Sequence, residues 1–143
     1  MSWFNEDLDR SGAARLALWI GLAILLVDQI SKNLARDNLQ GSSVEIIGDW
    51  LRLRYAENPG AAFSSFSDSG QIIGVIAIGV TGFLVFMILR TTRRIELIAL
   101  ALVLGGALGN LADRIFRGSG VLDGHVVDWI DWWFIPTFNI GKR

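Results

Sequence analysis

Eighteen consecutive residues, Ile72 to Leu89, carry no charge, and this stretch constrains the fold more than any other feature of the chain. It is close to the ~20 apolar residues that a helix needs to cross a bilayer. Two further apolar stretches accompany it. One runs from Leu16 to Val27 and can continue as a helix through Asp28, Ile30 and Leu34; the other, Ile95 to Leu111, holds only Glu96 near its start. Either alone would also suit a buried helix of a soluble protein. Three within 143 residues, at 52% hydrophobic and 19% charged content and a mean hydropathy of +0.44, fit a polytopic membrane protein better. The expected fold is mainly α. It is a transmembrane helix bundle forming one domain over residues 1–143, with spans at about 14–34, 71–90 and 95–113.

Direction follows from the basic residues. Arg90-Thr91-Thr92-Arg93-Arg94 joins the second and third stretches and should stay in the cytoplasm; Arg10 and Arg15 before the first stretch agree with it. The N-terminus is therefore expected inside, with the segments from about Asn33 to Gly70 and from Asn110 onward outside. The first apolar stretch ends in Asp28-Gln29 rather than in a small-x-small cleavage site, so it reads as an uncleaved span.

The outer loop, about residues 42–68, has structure of its own. Leu51, Leu53 and Tyr55 alternate with Arg52 and Arg54, the period of a half-buried strand, and Gly48-Asp49 separates them from Val44–Ile47. A small β-hairpin or sheet on the outer face is expected, broken at Asn58-Pro59-Gly60. After the third span, Val126 to Ile140 gathers Trp129, Trp132, Trp133, Phe134 and Phe138, which reads as an interfacial aromatic belt.

Composition narrows the chemistry. A net charge of −1 argues against nucleic-acid binding, which needs a concentrated positive surface. With no cysteine and the single histidine His125, thiolate zinc sites, Cys nucleophiles and multi-His metal sites are excluded. Carboxylates remain as the main chemical resource. Asp28 stands four residues before Lys32, which puts both on one helical face and allows an ion pair. That pair is either a helix end reaching the interface or a brace for a site at the outer surface. Gly105-Gly106-Ala107-Leu108-Gly109-Asn110 ends the third span with residues small enough for another backbone to approach. Asn110, Asp113 and Arg114 share one face there, suited to a lined pocket or a solvated helix end. Asp128 lies between Val126-Val127 and Trp129-Ile130. A carboxylate with apolar neighbours at an interface is either a general acid or base, or a group that simply faces water. Asp131, one helical turn on, would be a weak partner for it. The residues alone lead to an outward-facing polar site in a small membrane protein.

Five motifs occur in order: Asp28-Gln29-Ile30-Ser31-Lys32, Asn58-Pro59-Gly60-Ala61-Ala62-Phe63, Gly105 to Arg114, His125-Val126-Val127-Asp128-Trp129 and Phe138-Asn139. Together they resemble lipoprotein signal peptidase, or signal peptidase II, over nearly the whole chain from the first span onward. The resemblance implies an aspartic endopeptidase of the bacterial cytoplasmic membrane with four spans. Such an enzyme cuts the signal peptide from a diacylglyceryl-modified prolipoprotein, using two carboxylates that share a proton. It implies Asp128 as one catalytic aspartate, with no metal and no cofactor. Asn58, Gly60, Asn110, Arg114 and Asn139 would line the site, hold substrate and bind globomycin-type inhibitors. Asp28, Lys32 and Asp113 would be structural supports, and membrane lipids would be the surroundings.

One departure stands out. The resemblance implies Phe-Asn-x-Ala-Asp-Ser and then a fourth span, whereas this chain reads Phe138-Asn139-Ile140-Gly141-Lys142-Arg143. Lys142 occupies the place of the second aspartate. The expectation is a truncated or altered copy of a peptidase, with little activity as it stands and recoverable by Ala-Asp at 141–142 and a fourth span. The alternatives are a catalytically inactive relative that binds lipidated precursors, and a structural membrane protein.

Overall fold

A computed structural model of the chain describes residues 7–59 and 69–141. Asp9 opens helix α1 (Arg10–Leu39). Its carboxylate accepts from the Gly12 amide at 3.0 Å, a donor that a helix start leaves orphaned, and from the Ser11 hydroxyl at 2.6 Å. The helix stops at a turn through Gly41, whose φ of +80° suits glycine alone among common residues. Strands β1 (Ser43–Ile47) and β2 (Leu51–Asn58) follow, then helices α2 (Ser69–Arg90) and α3 (Arg94–Phe116), and strands β3 (Val126–Trp132) and β4 (Ile135–Phe138).

All three helices are long and apolar enough to cross a membrane. The Leu8 amide donates to the Thr92 carbonyl at 2.9 Å, pinning the start of α1 to the turn before α3. These two helices therefore run side by side in the same direction, with α2 returning between their ends. Their seam is a ladder of small residues: Ala13, Ala17 and Gly21 on α1, and Ala101, Gly105 and Gly109 on α3. A methyl group on Gly105 would sit 2.6 Å from the Ile24 Cβ and 2.8 Å from the Gly21 carbonyl oxygen, so only glycine lets the backbones meet. Large apolar side chains turn outward instead. Trp19, Ile72, Val75 and Phe83 are each more than half exposed, the pattern of a surface that faces lipid.

At the far end of α1 and α3 sits one antiparallel sheet in the order β1-β2-β3-β4. The sequence pattern predicts a hairpin over 44–55. The structure carries β2 on to Asn58 and adds two strands from the segment read as an aromatic belt. Trp50, Trp133 and Phe134 still cluster, their rings edge-on at 5.1 Å, at one tip of the sheet. Because β3 is a strand, Asp131 lies three strand positions from Asp128 rather than one helical turn. It bonds Arg54 Nε at 2.9 Å and the Thr137 hydroxyl at 3.3 Å.

Candidate active site

Two polar clusters occupy the junction of helices and sheet. The first closes the α1–α3 seam. Lys32 Nζ reaches Asp28 Oδ2 at 2.7 Å, Asp113 Oδ2 at 2.7 Å and Asn110 Oδ1 at 2.9 Å, and Asp28, Lys32 and Asp113 are fully buried. Arg117 Nε holds the other Asp113 oxygen at 2.7 Å, so two carboxylates face two cations. Gln29 bridges the helices, its amide donating to the Gly109 carbonyl at 3.0 Å and to Asp113 Oδ1 at 3.2 Å. Glycine at 109 makes the room, since a methyl group there would overlap Asp28 Oδ2. Asp28 Oδ1 has no hydrogen-bond partner among the described residues.

The second cluster surrounds Asp128, which is 1% exposed. Asn58 Nδ2 donates to its Oδ2 at 2.9 Å, and Asn139 Nδ2 donates to its Oδ1 at 2.7 Å. Asn139 also donates to the Val127 carbonyl at 3.0 Å and accepts from the Gly141 amide at 2.8 Å, so its side chain is locked on three sides. Both carboxylate oxygens thus rest on neutral amides, one from β2 and one from just past β4. Such an arrangement fixes the plane of the carboxylate.

Asp113 joins the clusters. The same Oδ2 that meets Lys32 accepts from the Val127 amide at 3.2 Å, tying the residue before Asp128 to α3. Asn110 makes a second link, donating to the Gly141 carbonyl at 3.4 Å. Gly141 packs on Gly106 so closely that a methyl group at 141 would lie 2.6 Å from the Gly106 carbonyl oxygen. Alanine at 141, expected from the sequence as part of a restored ending, therefore has no space in this arrangement. Arg114 is 5% exposed and donates to the Gly124 carbonyl at 3.4 Å. Gly60 and Lys142 lie outside the described residues.

The sequence reading assigned nothing to Gln29 or Arg117. Gln29 could have been suspected from its place beside Asp28; Arg117, four residues after Asp113, has the spacing of a helical ion pair. His125 lies on the reverse side of β2, its Nδ1 3.2 Å from Glu57 Oε2, while the Tyr55 hydroxyl donates to Glu57 Oε1 at 2.7 Å. Burial, and then the Glu57 carboxylate, push the Tyr55 phenol up to about 12. The bonds from Tyr55 and His125 hold the Glu57 carboxyl below its ordinary value.

Comparison with known proteins adds a frame. A match to the family described as signal peptidase (SPase) II covers residues 20–141. A lipoprotein signal peptidase of Rhodococcus jostii is 40% identical over 95% of this chain and 74% of its own length. One from Leifsonia xyli subsp. xyli is 41% identical over 83% of this chain, which spans only 56% of that relative. A solved bacterial membrane enzyme, determined by the in meso method at 1.9 Å resolution, superposes with a TM-score of 0.75 at 29% identity, covering 87% of this chain and 81% of that one.

Proposed function

The chain belongs to the signal peptidase II family and is an integral membrane protein, and from that premise we propose that it is a membrane aspartic endopeptidase removing signal peptides from diacylglyceryl-modified prolipoproteins. The observation that carries the reading is Asp128, buried at one end of the helices with both oxygens held by side-chain amides. In the proposed reaction the ionised Asp128 takes a proton from water as the water attacks the scissile carbonyl. The proton for the leaving amine has to come from a second carboxylate, whose expected place Lys142 occupies in residues 1–143. Asn58 and Asn139 keep Asp128 aimed. Asn110, Arg114 and Gly60 hold the substrate backbone, and globomycin-type inhibitors occupy the same place. Asp28, Lys32 and Asp113 brace the helices beneath. The protein sits in the bacterial cytoplasmic membrane as one domain, its N-terminus inside and Asp128 on the outer side, as the Arg90–Arg94 turn supports.

Lys142 favours a second reading. A lysine where the second carboxylate is expected cannot share a proton with Asp128, so residues 1–143 would hold a lipidated precursor without cutting it. Reconstituted protein and a diacylglyceryl-modified prolipoprotein peptide separate the two. On the peptidase reading, Lys142→Asp raises cleavage above the parent, and adding Asp128→Asn returns it to background. Binding of the lipopeptide with no gain in cleavage from Lys142→Asp, even when a fourth span is appended to the variant, selects the binder. Loss of binding in both chains removes both readings in favour of a structural role. The substitution is made at 142 alone, because Gly141 has no room for a methyl group.

A further inference from the structure

By strand alternation, the face of β2 that carries Tyr55 and Glu57 is opposite the one that carries Asn58 towards Asp128. An open pocket of about 420 Å³ lies on that reverse face, with Arg36 from α1, Phe116 and Arg117 from the end of α3, and His125 completing its walls. Its depth is set by the helices. From the pinned starts of α1 and α3, Arg36 and Phe116 lie about 33–39 Å along helices of ordinary rise, which exceeds a hydrocarbon core of about 30 Å and reaches headgroup level.

The charges in the pocket are unevenly committed. Both Glu57 oxygens are taken within it, by Tyr55 and His125. Arg117 spends Nε on Asp113 and Nη2 on Asn33, at 2.7 and 2.8 Å, which leaves Nη1. Arg36 has only a 3.8 Å approach from Nε to the exposed Asp37, and its terminal nitrogens take no hydrogen bond among the described residues. Beside these guanidinium groups Phe116 is 82% exposed, a large apolar side chain at the level where glycerol and the first acyl carbons lie. A soluble anion would use the arginines and leave Phe116 in water. A phospholipid would cover both.

We propose that this pocket binds the phosphodiester headgroup of a bilayer phospholipid, with the phosphate between Arg36 and Arg117 and the glycerol end against Phe116. The site is separate from Asp128 and does not depend on the peptidase reading. The test is native mass spectrometry of the full chain in detergent with three probes: phosphatidylglycerol, diacylglycerol of the same acyl chains, and inorganic phosphate as competitor. Arg36→Gln should lower retained phosphatidylglycerol about fivefold, the usual weight of one basic residue against an anionic lipid. Diacylglycerol retention should not change, and Arg36→Lys should restore most of the phosphatidylglycerol. Phe116→Ser should weaken lipid retention as well. Equal phosphatidylglycerol retention in parent and Arg36→Gln overturns the proposal. So does displacement of the lipid by inorganic phosphate at equal concentration, which would make this a site for soluble anions.

Discussion

The two carboxylate clusters, barely one residue apart through the Val127 amide, are built on opposite rules. Around Lys32, charge is answered with charge: Asp28 and Asp113 meet Lys32 and Arg117, and glycine at 109 closes the space. Around Asp128, both carboxylate oxygens accept from the neutral side-chain amides of Asn58 and Asn139. A buried ion network of the first kind fixes geometry, because removing one member strands the others. A carboxylate held by two fixed side-chain amides keeps its orientation. The contrast distinguishes the two settings more clearly than burial does, since all three aspartates are buried.

Lys32→Met should produce the largest change. It leaves two buried carboxylates facing each other, and about 3–5 kcal/mol of stability should go, read as a fall in the melting temperature of the detergent-solubilised protein. Asp128→Asn, which turns one carboxylate oxygen into a donor facing the Asn58 or Asn139 amide, should cost about 1–3 kcal/mol, less than Lys32→Met. Equal losses in the two variants would erase the distinction between the clusters. Next comes Gly109→Ala, whose methyl group must displace Asp28; about 1–3 kcal/mol is expected, against a small gain for Gly79→Ala, where nothing lies within 4 Å. If the two glycine variants behave alike, the packing around Asp28 is not tight.

The smallest effect concerns Tyr55 and Glu57 on the reverse of β2. The Glu57 carboxyl is depressed in the fold, so its contribution is present above the ordinary carboxylate value of 4.5 and is lost as pH falls below it. Tyr55 is raised, so its contribution is complete below 10 and disappears as pH climbs towards about 12. Glu57 is half exposed, and water screens much of its share. The melting difference between parent and Glu57→Gln should therefore be slight at pH 7 and vanish near pH 3. A difference that grows on acidification would reverse the sign assigned here.

The spans were legible because lipid imposes a length and a polarity that few other environments demand. The Lys32 cluster was half legible. Asp28 and Lys32 are four residues apart and Asn110 and Asp113 three, so helical spacing placed each pair on one face, while the seam that brings the pairs together was not visible. The cradle of Asp128 was hidden for a different reason. Asn58 is 70 residues from Asp128, and the contact depends on strand register, which spacing along the chain does not encode. Val126–Trp132 also lacks the clean alternation of a one-sided strand. Its first three residues are all buried, because the helix ends cover the face that would otherwise be open. Only the family resemblance brought Asn58, Asp128 and Asn139 together in advance.

The hydrogen bond from the Val127 amide to Asp113 gives this architecture a measuring function. Asp113 is carried on a helix whose start is fastened to α1 by Leu8 and Thr92, and about 29 Å of helix separates that fastening from it. This is nearly the thickness of a bilayer's hydrocarbon. Asp128, the neighbour of Val127, is thus held at a set distance from the Leu8–Thr92 fastening, like a blade on a gauge. One residue inserted into α3 would rotate Asp113 by about 100° and unseat Val127, so the length of a transmembrane segment becomes part of the definition of the site.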